Sequence, residues 1–582
     1  MRHSLPGVIQ GPLLGTILGA AVACGGGTGP NEDLQAPSVV CASQPVTQLG
    51  VGDHAIVDVG GNAGCLRLPA PGASSAQYLM VLASTNGTRS TSGIDGPFLL
   101  RAGRPSSASA TASVTAFGAA AQAGLQFLDA EATSLRRSRV AVEFDAALRT
   151  RERELLNDPR YSRALRSPGP LAAPPVGDVR IFKACSNLQC TAFNNVTATA
   201  RYVGTNSAVY LDNNAPTSDP LTDADLAELG SAFDRFHYPI DTTSFGRESD
   251  QDGNGVVIIL MTKAVNDLTP DCTNGRVVGF FYGGDLLTGS NSNHAEIFYT
   301  LVPSPQTSKC SAVTRRAALN NLKPTLIHEF QHMISFNQHA LVRGGSSEDV
   351  WLNEALSHFA EELGGRLIPN SECTPAGFTS CRSQYTSGDL LNAYEFMKSP
   401  GQTYLVFPNS TQGNLEERGA GWIFLRWVLD HFAADTIIAA DLTRALDGTS
   451  NTGVTNLQTV TGTSFSVMVP EWLMSLYLDD GPDLPVEPTG RLRLKSWGLR
   501  AIFTDPANSQ IFPAGFPLVP LPITASSSIL SKSDTLHAGS GYYFLLSQPA
   551  NATGLDVHVT ANSSGSALDP MLQARFGVVR IR

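Results

Sequence analysis

Charge is scarce in this 582-residue chain: Asp, Glu, Lys and Arg together make up 16%, against about 25% in ordinary globular proteins. That scarcity excludes long charged tails. Lys and Arg number 40 against 51 Asp and Glu, a net charge of −11. The basic face that phosphate binding needs is therefore missing, which argues against nucleic acid as a partner. No apolar run of 18 residues follows the first 24 residues, so a membrane can be met only through the N-terminus. No Cys-x-x-Cys occurs, which argues against a cysteine zinc site or a thioredoxin-type redox site. No repeat of fixed period is visible. What is present is an apolar content of 42%, enough for several cores over the three or four domains that the length implies. The 54 Gly and 36 Pro point to turn-rich β structure.

The N-terminus reads as an export leader. Arg2 precedes an apolar stretch from Leu13 to Val22, then Ala21-Val22-Ala23-Cys24 and three glycines. Cys24 after small residues resembles the lipobox of bacterial lipoproteins, which implies lipidation of Cys24 and an extracytoplasmic, surface-anchored or periplasmic protein. An ordinary cleaved leader, and simple secretion, is the plainer alternative. Setting Cys24 aside leaves eight of the nine cysteines, an even number as a disulfide framework requires. They fall as sequence neighbours: Cys41 and Cys65, Cys185 and Cys190, Cys272 and Cys310, Cys373 and Cys381. Neighbour pairing is the simplest of 105 connectivities.

The chain divides by pattern into a leader (1–24), a flexible tether (25–37) and an N-terminal β-sandwich (38–130). A charged segment (131–175), helical in pattern, follows as a linker or removable pro-segment. Residues 176–485 form the largest unit, in which strand-like runs such as Val256–Met261 precede long helical patterns. That order argues for an α+β fold. Short strands return in 486–582, read as a C-terminal β-sandwich.

The chemistry concentrates in Thr325-Leu-Ile-His328-Glu329-Phe-Gln-His332-Met-Ile. On a helix, His328 and His332 share a face and can hold one metal ion, while Glu329 beside them suits a general base. The metzincin continuation is absent, since Ser335 and Gln338 stand where Gly and His are needed. Instead Trp351-Leu-Asn353-Glu354-Ala-Leu-Ser-His358 forms a second amphipathic helix. A helical hairpin can return Glu354 to the metal, and two His plus one Glu leave a fourth zinc position open, as a catalytic site requires.

His-Glu-Phe-Gln-His-Met with Trp-Leu-Asn-Glu-Ala-Leu-Ser-His resembles the gluzincin pattern of thermolysin-like zinc peptidases, and most closely the hyicolysin family of secreted bacterial peptidases. The resemblance covers roughly residues 200 to 480. It implies a thermolysin-like catalytic domain, one zinc ion on His328, His332 and Glu354, Glu329 as base, and a protein or peptide substrate. His358 stands where those enzymes carry an Asp that orients a zinc-bound His. Among transition-state stabilisers, Tyr385, Tyr394, Tyr404 and Arg418 are open choices. The resemblance also places a substrate-pairing edge strand near Asn293–Tyr299, with Ala295 and Ile297 facing substrate; an interior strand is the alternative.

Asp250-Gln-Asp252-Gly-Asn254-Gly255 resembles the start of a calcium loop, but Met261 stands at the twelfth position where an EF-hand has Glu. A Ca2+ site of another kind at Asp250, Asp252 and Asn254 stays open beside a plain acidic turn. The sequence supports two functions of different class: a zinc endopeptidase, or a non-catalytic surface-binding or adhesion protein with a vestigial metal site. It leaves the oligomeric state open.

Overall fold

The structure is a computed structural model that describes residues 36–90, 92–103, 138–163, 172–408, 413–481, 484–524 and 529–582. The expected leader, Cys24 and most of the tether lie outside the described residues. Helix accounts for 38% and strand for 19%, so the fold is mixed, consistent with the expected α+β class.

After one helical turn at Pro37–Val40, four strands follow: β1 (His54–Asp58), β2 (Cys65–Leu68), β3 (Ala76–Ala83) and β4 (Asp95–Ala102). Helix α1 (Arg139–Asn157) follows within the charged segment; its N-cap Ser138 accepts a hydrogen bond from the Ala141 amide. Next come β5 (Val179–Cys185), β6 (Phe193–Val203), β7 (Ser207–Asp212), α2 (Asp223–Ala232), β8 (Val257–Met261), β9 (Gly279–Phe281) and β10 (Ile297–Thr300). The longer helices then succeed one another as α3 (Arg315–Phe336), α4 (Val350–Leu367), α5 (Cys381–Lys398), α6 (Leu415–Phe432), α7 (Ala440–Asp447), α8 (Gly453–Thr461) and α9 (Phe465–Leu478). The chain closes with β11 (Leu521–Thr524), β12 (Leu530–His537), β13 (Gly541–Gln548), β14 (Leu555–Thr560) and β15 (Arg575–Arg580).

The two expected end sandwiches are corrected to a single β unit. One sheet has the order β1-β15-β3-β13-β11 and the other β12-β4-β14-β2, so each mixes strands from both chain ends. Strand β3 is the reason. Its run Tyr78–Leu82 is buried throughout, and it pairs antiparallel with β13 on one side and β15 on the other. Beyond the sheet, α9 packs on β3 and β15, with Pro470 and Met474 against Gly577, and the Tyr543 hydroxyl donates to the Leu473 carbonyl. The expected boundary at 485/486 also moves. Residues 491–497 clasp the helical part, the Trp427 indole donating to the Arg491 carbonyl and the Trp497 indole to Glu362.

The central sheet has the order β5-β6-β7-β8-β10-β9, parallel at β7/β8 and β8/β10 and antiparallel elsewhere. Strands β8 and β10 are buried along their whole length, as inner parallel strands are. Strand β9 forms the outer edge beside α3, and α4, α5 and α6 pack behind α3. The cysteines pair as sequence neighbours, with Cα separations of 5.6, 4.9, 5.0 and 5.1 Å. Among the described residues, no helix is long and apolar enough to cross a membrane.

Candidate metal and active site

Helix α3 is buried almost all round from Ala317 to Phe336, which fixes its rotation. Pro324 lies inside it. Proline donates no hydrogen bond to the carbonyl four residues back, and the Gln384 side chain donates to that Asn320 carbonyl instead. Two polar pairs set α4 in register against α3. Asn353 donates to the Ser335 hydroxyl at 3.0 Å, and the Ser357 hydroxyl donates to the Gln331 carbonyl oxygen at 2.6 Å. That register brings Glu354 to His328 and His332.

His328 Nε2 and His332 Nε2 face each other at 3.2 Å. The Glu354 carboxylate lies 3.5 Å from His328 Nε2 and 3.6 Å from His332 Nε2. Ligands at about 2.0–2.1 Å from a tetrahedral zinc ion are about 3.3–3.4 Å apart, so the triangle has the right edge lengths. The other ring nitrogens explain why both Nε2 atoms are bare. His328 Nδ1 contacts Glu361 Oε1 at 2.8 Å, and a carboxylate can only accept. His332 Nδ1 contacts Ser357 Oγ at 3.0 Å, whose proton is spent on Gln331, so this ring donates too. The Gln331 amide donates onward to Asp447 at 3.2 Å. Each ring thus donates through Nδ1, so that in the neutral rings a metal ion needs, both Nε2 lone pairs face the same point. Two facing lone pairs repel unless a cation lies between them. Glu354 Oε1 also has no hydrogen-bond partner, although Glu354 is only 1% exposed. The donor set fits a divalent ion.

A second cluster shares His328: His328, His358 and Glu361. Its contacts are hydrogen bonds already made. Glu361 accepts from both rings, and His358 Nδ1 also lies 2.9 Å from Asp389. Burial disfavours the His358 charge, but Asp389 and Glu361 outweigh it and raise the imidazole to about 9. Burial likewise works against the Glu361 charge, and the His328 and His358 bonds overcome it, holding the carboxyl at about 2. This cluster reads as a buttress for His328. Sequence reasoning missed Glu361 and gave its place to His358. The signal was there: Glu354, His358 and Glu361 follow at i, i+4 and i+7, one helix face.

Glu329 of α3 lies against the outer edge of β9, where Oε2 accepts the Phe281 amide at 2.9 Å. Burial and the nearby Asp145 charge raise its carboxyl to about 8. Arg418 is 4% exposed. It donates to Glu354 Oε2 at 2.5 Å and to the Val142 carbonyl at 3.2 Å. His328, Glu329, His358, Glu361 and Arg418 line one cavity of about 120 Å3, together with Val278, Gly279 and residues of α1.

Other expected residues lie elsewhere. Ala295 and Ile297 are fully buried, and β10 runs between β8 and β9. Strand β10 is thus interior, the alternative the sequence left open, and the three-residue β9 forms the edge of the sheet. Tyr385 is buried with its hydroxyl 2.7 Å from His237 Nε2. Tyr394 accepts from the Ala514 amide, and Tyr404 donates to Asp95 in the β unit. None of the three tyrosines lines the cavity. Asp250 and Asp252 meet Glu296, brought in from the start of β10. The Glu296 carboxylate accepts from Ser249 and the Gln251 amide, and Asn254 donates to Asp252. Asp250, Asp252 and Glu296 lie close enough to share a cation, while the Asn254 side-chain oxygen accepts the Val256 amide.

No protein-family model matches the chain. A 209-residue stretch is 32% identical to the protein named neutral metalloprotease ShpI of Staphylococcus hyicus, covering 35% of this chain and 44% of that relative. The chain thus spans less than half the length of the curated relative it matches, and the similarity supports a metalloprotease relationship for that part.

Proposed function

We propose that this protein is a zinc-dependent endopeptidase of the gluzincin type, exported and held at the cell surface through Cys24 or secreted. The carrying observation is the pair of imidazole Nε2 atoms 3.2 Å apart beside the Glu354 carboxylate, with Glu329 next to them at the outer edge of β9. His328, His332 and Glu354 hold the ion. When bound, it supplies Lewis acidity, polarising the scissile carbonyl and acidifying water. Glu329 takes the proton of the attacking water and passes it to the leaving amine. Glu361 and Ser357 keep both imidazoles in the metal-binding tautomer. Arg418 holds Glu354 in place through Oε2. An extended peptide pairs with the outward backbone of β9, which sets its scissile bond over Glu329.

The test is metal analysis and casein hydrolysis of the full chain against Glu329→Gln. One zinc ion per chain in both proteins is expected, with hydrolysis reduced about 10²–10⁴-fold in the variant. Metal in both with equal, negligible turnover would instead support a surface-binding protein.

A further inference from the structure

We propose that α1 is a built-in inhibitor that caps the substrate edge of β9 and closes the cleft; this rests on the peptidase reading above. The geometry of β9 identifies the edge. The Leu301 amide donates to the Val278 carbonyl across the β9/β10 ladder. In an antiparallel pair the bonding direction alternates, so Gly279, Phe281 and Gly283 present their backbone groups outward. Those are the groups that an incoming peptide strand would use.

Side chains of α1 occupy two of them, while Glu329 of α3 takes the Phe281 amide. Arg149 donates to the Phe281 carbonyl at 2.7 Å, and Glu152 accepts the Gly283 amide at 2.8 Å. The two side chains pair with each other at 3.3 Å and are 3% and 0% exposed. Phe144 packs edge-on against Phe280, with ring centroids 4.9 Å apart. One turn away, Asp145 lines the cavity 3.6 Å from Arg418, whose guanidinium also takes the Val142 carbonyl of α1. The helix thus spans from β9 to α6, over Glu329 and His328.

The receiving surface is cut for it. A Cβ at Gly283 would stand 2.8 Å from Glu152 Oε1, and one at Gly275 would stand 2.4 Å from Ser138 Oγ. Charged side chains buried at such a contact are unfavourable unless paired, and here each meets a backbone or charged partner. What remains beneath α1 is the cavity of about 120 Å3, well under the ~300–1,000 Å3 of small-molecule sites, and an extended peptide does not fit. Substrate and α1 therefore compete for the same backbone groups, so the full chain hydrolyses substrate more slowly than it would with α1 displaced.

The experiment compares the full chain with Arg149→Ala/Glu152→Ala, which strips the cap, and with Asp145→Asn, which keeps the packing. Each is made in the native background for casein hydrolysis, and in Glu329→Gln for fluorescein-casein binding by anisotropy. Hydrogen exchange at the Gly283 amide, which Glu152 accepts, reports on the edge directly. The inference expects at least tenfold tighter casein binding and faster exchange for the double variant, and at least threefold tighter binding for Asp145→Asn. Tighter binding without hydrolysis in any protein supports the cap and overturns the peptidase reading. Unchanged binding, with Gly283 exchanging faster, overturns the cap and leaves the peptidase reading standing. If circular dichroism shows the double variant unfolded, Asp145→Asn decides alone: unchanged binding overturns the proposal.

Discussion

Glu361 offers the sharpest view of how the site is held. Its Oε1 accepts His328 Nδ1 at 2.8 Å and His358 Nδ1 at 3.0 Å. A hydrogen bond to a charged group contributes about 1.5–3 kcal/mol. A carboxylate that orients a metal-bound histidine is worth about 10–100-fold in metal affinity, or about 1.4–2.7 kcal/mol, so the two scales agree. Glu361→Gln keeps an accepting oxygen and loses the charge, so about a tenfold loss of zinc affinity is expected. Glu361→Ala loses both and should approach a hundredfold. His358→Ala leaves the His328–Glu361 bond in place and should cost less than Glu361→Gln. Competition with a chromophoric chelator at neutral pH measures all three. If His358→Ala costs more than Glu361→Ala, or if Glu361→Ala binds zinc as the unmodified chain does, the assignment of Glu361 as the orienting group is wrong.

The shared β unit predicts that a chain ending at Leu484 loses both hydrogen-bonded neighbours of β3 and leaves an exposed apolar strand; it should aggregate on expression. A soluble product with a cooperative melt would support independent end domains instead. Burial and repulsion from Asp480 raise the Asp479 carboxyl from 3.8 to about 8. Its contribution to stability is full below the unfolded value and is lost as pH rises through about 8. The melting temperature of Asp479→Asn relative to the unmodified chain should therefore climb between pH 4 and 8; a flat difference over that range contradicts the reading.

Much of the site was legible because helical spacing is local. His328, Glu329 and His332 need only a 3.6-residue period to share a face, and Glu354 needs one hairpin. Among the described residues, His328, His332 and Glu354 form one of three His and carboxylate groups close enough to share an ion. Glu361 was legible too, had the Glu354 face been followed one turn further. What stayed hidden depends on which strands meet. Ile297–Thr300 reads as a strand from its own residues, but only the positions of β8 and β9 make it interior. Likewise β3 and β13 each look like the middle of a sandwich, and nothing in either segment names the other as its partner across the chain. Glu296 lies 44 residues beyond Asp252, out of reach of any loop pattern.

Zinc-edge anomalous diffraction from crystals of the full chain tests the central claim most directly. The account predicts one peak about 2.0–2.1 Å from Nε2 of His328 and of His332, within reach of the Glu354 carboxylate. A peak instead on the His328 Nδ1 side, between His358 and Glu361, or zinc-soaked crystals with no peak at this site, would contradict it.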